Sequence, residues 1–135
     1  MFNKKKTYFQ KKSKAVQNMI WDLEFKLYKT KEIREEVRQE LSNKKAQLET
    51  LENQIKSQKE KPTMKEEEAK QLDDRKVFLD KDIQRHIDQL KILDEEIGGV
   101  KKSAENPEGS AGLIQQIEAL YELKGIIKSY IKTEL

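Results

Sequence analysis

Ala69, Lys76, Ile83, Leu90 and Ile97 stand seven residues apart, and Leu72, Leu79, His86, Leu93 and Val100 repeat the interval beside them. Eight of these ten residues are apolar. A seven-residue repeat of this kind belongs to a helix that buries a narrow seam against another helix. The chain itself supplies the partner. From Ser13 to Glu60 the pattern is again helical, with Val16, Ile20, Leu23 and Leu27 at spacings of four, three and four. Ile33, Val37, Leu41, Leu48, Leu51 and Ile55 continue the seam, with a slip in the beat between Leu27 and Val37. At 1.5 Å per residue this segment makes a rod of roughly 70 Å.

Between the two seams lies "KEKPTMKEEE". Pro62 cannot continue a helix, and it pushes Lys61 towards extended geometry. Thr63 followed by Glu66 reads as a capping box, and the acids at 66–68 suit a helix N-terminus. The expectation is an antiparallel coiled-coil hairpin over residues 13–102, turning near 61–63. Folding about Pro62 places Ile55 near Ala69, Val37 near His86 or Ile87, and Leu27 near Ile97.

Gly98-Gly99 ends or loosens the second helix. Residues 103–112, "SAENPEGSAG", have loop composition, although Pro107 also fits the first position of a helix. Over 113–135, Leu113, Ile117, Leu120, Ile127 and Ile131 form one helical stripe, and Leu123, Ile126 and Tyr130 a second. Trp21, Phe25 and Tyr28 likewise form a second stripe on the first helix. The fold expected is all-α: a long hairpin with a C-terminal amphipathic third helix packed at its open end, on the aromatic side of helix 1. Leu123, Ile126 and Tyr130 are then left to meet a protein partner, with a homodimer as the simplest case.

Composition agrees. Charged residues make up 39% of the chain and hydrophobic ones only 35%, which suits long helices better than a thick core. Residues 1–62 carry 16 Lys/Arg against 9 Asp/Glu, net +7, and residues 63–135 carry 12 against 16, net −4. Residues 1–12 show no sustained period and are expected to be a basic, flexible tail. Lys4, Lys5, Lys6, Lys11, Lys12 and Lys14 form its cluster and are the candidate nucleic-acid contacts.

The absence of cysteine removes disulfides and thiolate metal sites. One histidine, His86, cannot make a two-histidine zinc site, and it reads as a polar residue that fixes seam register. Neither a phosphate-cradling glycine loop nor a P-loop is found. Acid runs such as Asp94-Glu95-Glu96 read as a solvated face. No cofactor, metal or catalytic residue is expected, no apolar run reaches the ~18 residues of a membrane span, and the location expected is cytoplasmic. These features point to a non-enzymatic scaffold, adaptor or assembly factor. The alternatives are a nucleic-acid-associated protein that uses the basic tail and a peripheral membrane binder that uses helix 3.

Overall fold

The computed structural model describes residues 3–135 and is all-helical, with α1 spanning Lys4–Glu60, α2 Glu66–Gly98 and α3 Leu113–Glu134. Helix α1 packs against both α2 and α3, and the described residues form no strand. Two compact units result. The first joins the described residues up to Glu32 with Leu93–Leu135, and the second is Ile33–Ile92.

Helix α1 starts at Lys4, not at Ser13. Asn3 explains the earlier start. Its side chain accepts the Lys6 backbone N–H at 3.0 Å and its carbonyl accepts that of Thr7 at 3.1 Å, so two of the free donors of the first turn are satisfied. The segment expected as a tail is therefore helical from Lys4 on; Met1 and Phe2 lie outside the described residues. From Phe9 to Gln58 the least exposed residues follow each other at alternating spacings of four and three without a slip. The apolar beat slips near Ile33, but the buried seam passes through Thr30 and Arg34, and Ile33 is exposed. Thr30 tolerates burial because its hydroxyl donates to the Lys26 carbonyl at 2.8 Å.

In the second unit α1 and α2 pair through polar contacts as well as through Val37, Leu41, Leu51 and Ile83. Glu40 meets His86, Lys44 meets Asp82, and Glu52 meets Lys76, so rising numbers on α1 face falling numbers on α2. Ile55 and Ala69 line one small cavity near the connection. Every heptad position of α2 from Ala69 to Ile97 is at least half-buried. The connection itself corrects one expectation. Helix α2 begins at Glu66, so Thr63 does not cap it. Gln58, with its amide turned to suit its neighbours, accepts the N–H groups of Thr63 at 3.1 Å and Met64 at 2.9 Å, so the side chain that closes α1 organises the turn.

In the first unit the deepest apolar burial falls on Ile20, Leu113, Ile97, Val16 and Ile117, contributed by all three helices. Helix α2 ends at Gly98, and Gly99 takes φ +83°, a left-handed conformation suited to glycine. Its N–H returns to the Glu95 carbonyl at 2.8 Å. The connection then closes on itself, since Val100 and Ser110 exchange backbone hydrogen bonds of 2.9 Å in both directions. Asn106 turns this loop, receiving the Gly109 N–H, and Pro107 starts no helix. Helix α3 opens after Gly112. The Gln115 side chain accepts the Gly112 N–H at 2.9 Å and donates to the Gly98 carbonyl at 2.8 Å, which fixes the start of α3 to the end of α2.

Candidate interaction surfaces

The only histidine sits in the second unit in a polar layer. Its Nδ1 faces the Asp82 carbonyl at 2.8 Å and its Nε2 faces a Glu40 carboxylate oxygen at 2.9 Å. Both neighbours are acceptors, so a ring protonated at both nitrogens donates to each. Asp82 is buried, is bonded by Lys44, and has Arg85 at 3.1 Å. Glu40, Lys44, Asp82 and His86 thus satisfy one another across two helices. Lys44 and Asp82 of this layer also line an open groove of about 600 Å³, together with Leu51, Phe78 and Leu79. A buried polar layer penalises a slipped pairing because a slip would leave charges unpartnered. Lys76, the other polar heptad residue, reaches Asp80 at 3.1 Å and Glu52 at 4.0 Å. The hydrogen bond that Lys76 donates to Asp80, and that carboxylate's charge, hold the Lys76 ammonium above the usual lysine range.

Helix α3 does not pack on the aromatic side of α1. Trp21 is 61% exposed, and Phe25 and Tyr28 are each 64% exposed. The contacts show why. Lys124 of α3 bonds Gln17, Tyr121 donates to Glu24 at 2.6 Å, and Tyr130 meets the Phe9 ring at 5.0 Å. These α1 residues flank the seam that runs through Val16 and Ile20, and α3 covers that seam, not the rings. Large aromatics usually mark burial, but α3 bonds Gln17 and Glu24 and leaves these rings in water. The three rings stand at spacings of four and three on one outward stripe. Lys29 lies over two of them, 5.7 Å from Phe25 and 5.9 Å from Tyr28. The Glu24 carboxylate, by accepting the Tyr121 hydroxyl, holds that phenol above its usual range.

On α3, Leu113, Ile117, Leu120, Ile127 and Ile131 turn inward, and Leu123 and Ile126 stay exposed. Tyr130 is different: part of its ring packs within the unit against Phe9. The six lysines from Lys4 to Lys14 are exposed on α1. Because α3 lies along this stretch, Lys124, Lys128 and Lys132 join them. That convergence is invisible in the sequence, where the two groups lie more than a hundred residues apart. Among the described residues no cluster of His, Cys, Asp and Glu is arranged to hold a metal ion, and no helix is long and apolar enough to cross a membrane. Comparison with known proteins finds no matching family model, no matching curated protein and no matching solved structure.

Proposed function

We propose that this chain is a non-enzymatic helical interaction protein, a scaffold, adaptor or assembly factor, built as an antiparallel coiled-coil hairpin with a third helix at its open end. The observation that supports this reading is the exposed row Trp21, Phe25 and Tyr28. Three large rings side by side in water are a cost that a chain this polar could avoid, and such rings are the residues that carry binding energy at protein interfaces. Asp22 and Lys29 give the row a mixed-charge rim of the kind found around interface centres. Leu123 and Ile126, exposed on α3, are a second contact in this reading, with Tyr130 at their edge.

A photo-crosslinking residue in place of Phe25 tests the reading in the native cell. It should give a discrete adduct that Trp21→Ala with Tyr28→Ala abolishes, while the same probe at Phe78, an equally exposed ring of the second unit, gives none. Equal or absent adducts at both places would sink the proposal. Trp21→Ala should also change stability by no more than about 0.5 kcal/mol, as for other exposed positions.

A further inference from the structure

We propose that the lysine-rich end of the first unit docks on an anionic lipid bilayer, with the protein lying on the surface without crossing it. The first observation is charge brought together by folding. Residues 3–21 of the chain hold six lysines and no acid, and residues 123–135 add Lys124, Lys128 and Lys132 against Glu134 alone. The bond between Gln17 and Lys124 and the edge contact between the Phe9 and Tyr130 rings hold these stretches side by side. Nine lysines and one acid give this end a net charge of +8; the whole chain is +3, so the remainder is −5.

The second observation concerns the helix start. Helix α1 opens on Lys4-Lys5-Lys6 with no acid in its first turn, although a helix N-terminus carries positive partial charge and favours acids. Local physics opposes this arrangement, and a dense negative surface relieves it. The third observation is apolar. Met19 is 52% exposed, Leu123 43% and Ile126 60%, in the same stretches of chain as those lysines. Tyr8, with Lys12 5.4 Å above its ring, adds an aromatic of the type that settles at headgroup level.

These side chains choose among anionic partners. Nucleic acid satisfies the lysines but offers bare aliphatic groups nothing to enter, since base stacking uses flat rings. The ring row from Trp21 to Tyr28 lies among Asp22, Glu24 and Glu32, which repel phosphate. A second copy docked on this patch would set +8 against +8 within about one Debye length, about 8 Å at physiological salt. A bilayer with anionic headgroups meets both needs, taking lysines at its surface and aliphatic chains at the acyl boundary. The inference does not depend on the aromatic row; it shares Leu123 and Ile126 with the second protein contact proposed above, and vesicle binding by the purified chain separates it from that reading.

The full chain is sedimented with vesicles of phosphatidylcholine containing about one-third phosphatidylserine, and with phosphatidylcholine alone. Binding is expected only to the first, and molar salt should release it. Lys4→Gln, Lys5→Gln and Lys6→Gln together should weaken binding about a hundredfold, each lysine contributing about fivefold. The corresponding arginine triple should retain it. Leu123→Ser with Ile126→Ser should weaken it about tenfold, with an unchanged melting curve showing that the fold is kept. No binding to the anionic vesicles, or equal binding to both, overturns the proposal. So does tight binding of a single-stranded oligonucleotide by a chain that leaves the vesicles in solution. The wild-type vesicle and salt comparison decides the matter even if a variant fails to fold.

Discussion

The two units bury different chemistry. Where α1 meets only α2, over Ile33–Ile92, Lys44, Lys76, Asp82 and His86 sit at or beside the seam. Where α3 joins, the core is Val16, Ile20, Leu93, Ile97, Leu113 and Ile117, and Ile20 is fully buried. Two helices leave the flanks of their seam open, so a charged side chain there keeps its head in water while its stem packs. A third helix closes a flank, and unpaired charge becomes costly there. The number of covering helices, more than the sequence of any one of them, sets how apolar the interior is.

The strongest way to break this contrast is truncation at one seam site in each unit. Ile20→Ala in the first unit should cost about 3–4 kcal/mol, and Leu79→Ala in the second about 1–2 kcal/mol, since a half-buried site loses less contact and collapses more easily. Urea unfolding of the two variants gives the comparison directly, and equal costs would abolish the distinction. Gly112→Ala comes next, at about 2–3 kcal/mol. A Cβ there would stand 2.3 Å from the Gly99 nitrogen and 2.5 Å from the Ile97 carbonyl oxygen, both backbone atoms with little room to retreat.

In the second unit, Asp82→Ala should cost about 2 kcal/mol by stranding Lys44 and Arg85. Replacing Lys44 and Asp82 together by leucine should restore stability but loosen register. The chain has no cysteine, so a pair introduced at Glu52 and Lys76 reports register by its disulfide yield. An undiminished yield would mean that the polar layer does not set it. Smaller again, Asn3→Ala should cost about 1 kcal/mol, seen as faster amide exchange in the first turn of α1. Thr63→Ala should be almost silent, because Thr63 caps nothing.

The smallest effect belongs to Tyr121. Its bond to Glu24 favours the neutral phenol and raises its titration above the ordinary range. The contribution is therefore present below the usual tyrosine pKa and lost as pH rises through the raised one. Ultraviolet titration of the wild type against Tyr121→Phe isolates this midpoint, and Glu24→Gln should bring it down.

What the sequence reveals follows from what its seams are made of. The α2 heptads are legible because apolar residues fill eight of ten positions, and the third helix shows its inward stripe for the same reason. Helix α1 is harder to read, because Thr30, Arg34 and Lys44 occupy seam positions and a hydrophobic pattern skips them. Asn3 is a single capping residue ahead of a lysine run, too small a signal to offset the missing period in residues 1–12. The exposed rings and the convergence of Lys124, Lys128 and Lys132 on the N-terminal lysines depend on which flank α3 takes. That choice is made in tertiary packing, through Gln17, Glu24 and Phe9, and no local pattern records it.

The link between α2 and α3 has a practical consequence. The Val100–Ser110 exchange ties its base, and Ser103–Glu108 beyond the tie contribute nothing to the buried core. Cargo grafted at this tip, a fluorophore, an epitope or a folded domain whose own ends lie close together, hangs from a closed stem. The helices would carry it without feeling its length, which makes residues 104–108 the natural place to attach a reporter.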